Sequence, residues 1–208
     1  MSEIYVVAIH ENTGIAKLSR VVQKYQYSHI AICLDESLSD FMSFSRRRYH
    51  VPFDSGFMRE TRNCFGDMTS SQFKAKVFRI EISDDELARI TKLIREIEAD
   101  QAYLFNIFSM ITLPLIHGFD LPKTHTCISF TARVLQEVAS IHLTKPCYKY
   151  SIPDIDELLT SHTHFEGMID KDDNHVAGYM DSPGMLTNIR IGAKVIGKLL
   201  ARVFTRHA

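Results

Sequence analysis

Two residues in this chain combine side-chain type and setting in a way that suits acyl-transfer chemistry. They are His29, in Tyr27-Ser28-His29-Ile30-Ala31-Ile32, and Cys127, in Thr126-Cys127-Ile128-Ser129-Phe130. The run after His29 reads as a half-buried strand, and a histidine at its start can point its ring at a facing helix. Cys127–Ala139 reads as a helix in which Thr131, Val134, Leu135 and Val138 share the face of Cys127. That puts the cysteine in the first turn, where the macrodipole is positive and a thiolate is favoured. A thiolate beside an imidazole is the minimum equipment for acyl transfer through a thioester. Taken alone, each residue has a blander reading. A lone buried cysteine is usually inert core, and a lone histidine is more often a satisfied polar group at a sheet edge.

The elements that must position this pair form a mixture of strands and helices, which makes the fold class α+β. Ile4–Ile9 is a β-branched run expected to be a central strand. Ile15–Lys24 has helical spacing, Ser28–Leu34 returns to strand character, and Phe41–Ser45 is a further strand. Val51–Gly56, with Pro52 and Gly56, reads as loop, and Phe73–Ile82 as another strand. Ser83-Asp84-Asp85-Glu86 is a capping box before a helix whose Leu87, Ile90, Leu93, Ile94 and Ile97 share one face. Ala102–Ile116 reads as a more buried helix ended by His117-Gly118, Phe119–His125 as loop, and Pro153–Thr160 as a short helix. His164–Asp173 reads as irregular or a short strand.

The order of histidine-on-strand first and cysteine-on-helix later resembles the circularly permuted papain-like proteins. These form the permuted branch of the NlpC/P60 superfamily, which includes the YiiX-like and lecithin:retinol acyltransferase-like enzymes. The resemblance runs through Ile4–Val7, Leu18–Val22, Tyr27–Asp35, Phe44-Ser45-Arg46-Arg47, Pro52-Phe53 and Gly56-Phe57-Met58-Arg59-Glu60, and resumes at Cys127–Leu135. It implies an antiparallel sheet packed against the helix that carries the cysteine, with Cys127 as nucleophile and His29 as general base. It also implies a third polar residue on the strand after the histidine strand, to orient the ring. Here that strand is Phe41-Met42-Ser43-Phe44-Ser45, which holds neither histidine nor carboxylate. Ser43 is the favoured substitute, Ser45 is an alternative, and Glu60 could reach in from the following loop; hairpin register decides among them. The Cys127 backbone amide is the expected oxyanion donor, with His125 as a further one.

Composition bounds the rest. The 208 residues are 45% hydrophobic and carry 24 basic and 25 acidic side chains, which suits one folded domain with a sizeable core. The neutral total hides an asymmetry: Ser182–Ala208 holds five basic residues and no acidic one, leaving 19 basic against 25 acidic in residues 1–181. The division expected is therefore a papain-like domain, 1–181, and a basic amphipathic helix, 182–208. In that helix Arg190, Lys194, Lys198, Arg202 and Arg206 recur every fourth residue among Ile189, Ile191, Val195, Ile196, Leu199, Leu200, Val203 and Phe204. Residues 189–206 thus suit an anionic membrane surface or an acidic protein groove, or docking on the chain's own body. The acidic body and the lack of tryptophan argue against nucleic acid.

Arg46, at the head of Arg46-Arg47-Arg48, could meet an anionic substrate. Cys33, Cys64 and Cys147 form no CxxC pair with Cys127 or each other, the pattern of free thiols in a reducing, cytoplasmic setting. The N-terminus lacks the basic segment and long apolar run of a secretory signal. His162-Thr163-His164 has the wrong spacing for a zinc site, so no metal and no cofactor is expected. The expectation for function is a thiol hydrolase or acyltransferase acting on a peptide amide or a lipid ester. The alternative is a binding module of the same fold with weak or lost chemistry, docked by its basic tail.

Overall fold

The computed structural model describes residues 2–12, 20, 24–116 and 118–205. The chain is α+β, built on an antiparallel sheet. Its strands are β1 (Ser2–Ile9), β2 (His29–Cys33), β3 (Phe41–Arg46), β4 (Ser55–Glu60), β5 (Gln72–Ile82) and β8 (Thr163–Asp170), in the order β4-β3-β2-β1-β5-β8. The central strands β1 and β2 are buried on both faces, which is why they read as near-continuous apolar runs. The eight-residue β8 closes the far edge and is largely exposed.

Period-two alternation divides the sheet into two cores. On one face Ile4, Val6, Ala8, Ile30, Ile32, Met42 and Phe44 pack with residues of α1 (Asp84–Ala99), α3 (Cys127–Leu135) and α4 (Ile152–Leu158). On the other, Tyr5, Val7, Ile9, Ala31, Cys33, Phe41 and Met58 pack against Cys64, Phe65 and Tyr179 from loop segments. β5 serves both faces. Phe73, Ala75 and Val77 join the loop-covered core and Phe78, Ile80 and Ile82 the helix-covered one, with a register shift against β8 between Val77 and Phe78. Odd and even positions of β5 alternate between the faces as they do in β1, with which β5 stays in register from Ala75 to Ile82; the shift belongs to the pairing with β8 alone.

Helix starts follow their caps. Ser83 accepts from the Glu86 amide while Glu86 reaches back to the Ser83 amide, and α1 then buries Ile90, Ile94 and Ile97. Thr126 and Ser129 form the same reciprocal pair ahead of α3. Its first residue is fixed as Cys127, immediately after a two-residue strand β7 (Thr124–His125). β7 runs parallel to β6 (Leu104–Phe105).

Several boundaries differ from the sequence-based expectations. Val51–Gly56 is not all loop: the segment Ser55–Glu60 is β4, paired with β3 through six residues. The helix expected over Ala102–Ile116 starts later, as α2 (Ile107–Ile116), because Leu104 and Phe105 pair with Thr124 and His125 instead. The cysteine helix stops at Leu135 rather than Ala139, and His164–Asp173 is mostly regular strand. The helix expected over Ile15–Lys24 falls almost wholly outside the described residues.

The basic C-terminal segment forms α5 (Met185–Thr205). It docks on the body through Leu199, fully buried with Leu104 and Leu121, with Val195 and Val203 packed alongside. The Arg202 guanidinium donates to the Lys123 carbonyl at 2.9 Å and to the Ala102 carbonyl. A Cβ on Gly192 would lie 3.1 Å from the Phe53 ring. Among the described residues, no helix is long and apolar enough to cross a membrane.

Two substitutions on α1 separate capping from burial. Ser83→Ala is expected to cost about 1 kcal/mol, and Ile90→Ala about 2–5 kcal/mol. Both are read by urea unfolding, with Ile90→Ala the larger loss.

Candidate active site

The site is built where β2 and β3 part company. Their ladder holds only Ile32↔Met42 and Cys33↔Phe41, whereas β1 and β2 pair through five residues and β3 and β4 through six. His29 lies at the unpaired end of β2. By alternation it shares a face with Ala31 and Cys33, just as Ser43 shares one with Phe41, and Glu60 with Met58. These three polar side chains therefore point to the loop-covered face. Cys127 comes from α3, on the helix-covered face.

The His29 ring joins the two. Its Nε2 lies 3.0 Å from Glu60 Oε2, and Cys127 lies near enough to the ring to favour its protonated form. Glu60 thus takes Nε2 and leaves Nδ1 as the ring's other nitrogen. Ser43 Oγ donates to the same Glu60 oxygen. The Phe65 ring closes over the imidazole with centroids 5.9 Å apart. His29 and Cys127 are each 9% exposed, Glu60 4% and Ser43 0%.

Burial of this kind is costly to charges unless they are paired. For His29, burial opposes the charged ring. The Glu60 carboxylate outweighs it, together with the hydrogen bonds to Cys127 and Glu60, and holds the imidazole well above its ordinary 6.5. Burial likewise pushes the Glu60 carboxyl up, but the His29 charge and the hydrogen bonds of His29, Ser43 and Ser45 keep it below 4.5. The pair is thus an imidazolium–carboxylate at neutral pH. The other cysteines are set apart by their surroundings: burial pushes the Cys33 and Cys64 thiols up to about 12 and also raises Cys147. Cys33 and Cys64 are therefore protonated at neutral pH.

The helix start equips Cys127 further. The Thr126 hydroxyl takes the Ser129 amide. The Cys127 and Ile128 amides, the first two of α3, lie outside the helix's own ladder. The Cys127 N–H is therefore suited to receive an oxyanion forming at its own sulfur.

The sequence-derived candidates divide. Cys127 lies near His29. Ser43 does not touch the ring; it bonds to Glu60, and Glu60 is the ring's partner. Glu60 belongs to β4 rather than to a loop, and alternation along Ser55–Glu60 places it inward beside Met58. His125 is committed elsewhere. Its ring stacks on Tyr103 at an interplanar angle of 7°, its Nδ1 lies 3.3 Å from Ser129 Oγ, and burial, helped by Arg133, lowers it to about 4, so it is neutral. Arg46 donates to the Tyr49 carbonyl and lies over the Tyr49 ring, while Arg48 pairs with Asp54 at 2.7 Å.

Sequence reasoning missed Glu11. It is 8% exposed, its Oε1 accepts from the Gly66 amide at 3.1 Å, and its Oε2 has no hydrogen-bond partner among the described residues. Burial pushes it up to about 7, against the pull of the nearby His29 charge. The signal available was a carboxylate directly after the buried β1, two residues past Ile9.

The raised His29 and lowered Glu60 set the pH dependence of stability. The His29 contribution is fully present below 6.5 and is lost as pH rises through the folded-state value. The Glu60 contribution is present above 4.5 and is lost as pH falls through its folded-state value. Both act fully between about pH 4.5 and 6.5. Glu60→Gln leaves a buried ring without its counter-charge and is expected to cost about 3–5 kcal/mol in that window. Urea unfolding of wild type and variant at pH 5.5 and pH 9.5 is expected to show a smaller difference at the higher pH.

Comparison with protein-family models, with curated proteins and with solved structures finds no match for this chain. The case for chemistry at Cys127 therefore stands on this geometry and on the resemblance in its sequence.

Proposed function

We propose that the chain is a cysteine hydrolase or acyltransferase of the permuted papain-like type. What supports this reading is the buried His29–Glu60 pair with Cys127, the first residue of a helix, beside the ring. The order of His29 on a strand and Cys127 on a later helix packed on an antiparallel sheet agrees with it.

In this reading the Cys127 sulfur, as a thiolate beside the His29 imidazolium, attacks the carbonyl carbon of an amide or ester. A carbon–sulfur bond forms, and the carbonyl electrons move onto oxygen, where the Cys127 amide meets them. The oxyanion collapses, the bond to the leaving nitrogen or oxygen breaks, and His29 passes its proton to that atom. Water or another acceptor then attacks the thioester and gives a proton back to His29, and the carbon–sulfur bond breaks. Glu60 holds the ring and stabilises its charged form, and Ser43 holds Glu60. The substrate is a peptide amide or a lipid ester.

A second reading, a binding module without chemistry, draws on one observation. His29 and Cys127 are each only 9% exposed, and neither lines the two surface hollows along α1, which hold residues such as Leu87 and Arg95.

An activated ester probe, p-nitrophenyl acetate, separates the two. Acyl transfer releases nitrophenolate and adds one acetyl group to the protein, read by intact mass and peptide mapping. Labelling is expected at Cys127 and is lost in Cys127→Ala. Glu60→Gln is expected to slow it about a hundredfold or more, and Ser43→Ala less. Equal labelling of wild type and Cys127→Ala would sink the nucleophile assignment and favour the binding module.

A further inference from the structure

The docked helix α5 uses only part of its circumference. At 100° per residue, Val195, Leu199 and Val203 fall on one side, and they are the residues packed on the body. A second apolar row remains outside. Leu186 is 70% exposed, Ile189 59%, Leu200 44% and Phe204 75%. With the exposed Ala193 and Gly197 between them, these residues fall within about 80° of arc. Exposed Arg190, Lys194 and Lys198 form the adjoining strip, one residue on from Ile189, Ala193 and Gly197. No acidic residue occurs anywhere in Ser182–Ala208. Docking on the chain's own body, foreseen for an amphipathic tail, therefore satisfies one apolar face and leaves a second, bordered by cations.

We propose that this outer face of α5 lies on an anionic lipid surface, with the Leu186–Phe204 row in the acyl boundary and the Arg190–Lys198 row among the headgroups. An interfacial helix needs an apolar row beside a cationic one, and long basic side chains whose stems follow the apolar row while their charges reach the headgroups. The charge pattern selects lipid over a second copy of the chain. Two copies meeting antiparallel through this face bring like-charged rows together with no acidic residue of α5 between them. The helix spans roughly 30 Å, all of which lies along the surface rather than across it.

The test uses the full chain and two kinds of vesicle: pure phosphatidylcholine, and phosphatidylcholine with about a third phosphatidylglycerol. Sedimentation at low salt is expected to carry the protein down with the anionic vesicles at least tenfold more strongly than with the neutral ones, and 0.5 M salt is expected to reverse this. Each lost cation is expected to weaken binding about fivefold, so Arg190→Gln with Lys194→Gln and Lys198→Gln weakens it about a hundredfold. Ile189→Asp is expected to abolish it with an unchanged thermal melt. The chain has no tryptophan, so Phe204→Trp supplies a single reporter, whose emission is expected to shift to the blue on anionic vesicles. Absence of binding to anionic vesicles, or equal binding by the charge-neutralised variant, would overturn the proposal. So would a concentration-dependent dimer that Ile189→Asp dissolves, which would assign the face to a second copy.

Discussion

The contact on which the site depends is the buried ion pair of His29 and Glu60. Neither partner is tolerable alone at 9% and 4% exposure, since an unpaired buried charge costs several kcal/mol. Their 3.0 Å approach makes each the condition of the other. Ser43 takes the same carboxylate oxygen, so the pair has a hydrogen-bonded floor as well as a counter-charge. A pair like this is weak evidence for stability as such, because apolar residues could fill the same volume at less electrostatic cost. What it supplies is a ring fixed in position, with one nitrogen committed to Glu60 and Cys127 beside it.

That arrangement needs a sheet that is incomplete at one place. A fully paired β2–β3 ladder would keep the two cores apart, with polar side chains on one face and the cysteine helix on the other. The ladder stops after two residue pairs, and His29 lies at the end that is left open. The Thr126–Ser129 capping pair then sets the start of α3 to the residue. Glu11 is held nearby by the Gly66 amide. Burial raises it to about 7, so around neutral pH it brings only part of a second negative charge near the imidazolium.

The parts legible in the sequence were those with strong local signals. β1, β2, β3 and β5 are β-branched or alternating runs, and Ser83-Asp84-Asp85-Glu86 announces α1 by its chemistry. The parts missed lacked such signals. β4, Ser-Gly-Phe-Met-Arg-Glu, carries a glycine and ends on two charges, so it looks like loop until β3 pairs with it over six residues. Missing β4 concealed the role of Glu60: in a strand, a carboxylate two residues from Met58 must share its inward face, whereas in a loop it has no assigned direction. The β6–β7 pair is two residues long and joins positions twenty apart, which no local periodicity can reveal. Ser43 was placed on the right strand and the right face, one contact removed from the ring.

The tail shows the same division between local pattern and tertiary fact. Its basic, amphipathic character is plain from spacing, but spacing cannot say which apolar residues the body will take. Gly192 and Gly197 weaken an isolated helix by about 1 kcal/mol each, and the structure separates them. Gly192 sits where any side chain would press on Phe53, so its smallness is a condition of docking. Gly197 has open space around its Cβ position and belongs to the outer face. Docking supplies what the helix lacks in intrinsic propensity, through Leu199 and the Arg202 bonds to two carbonyls. A helix ordered in this way keeps Leu186, Ile189 and Phe204 outside without needing a membrane to fold it. Its ordering cost is met before any surface is encountered, and contact with lipid then has only to bury side chains already in place.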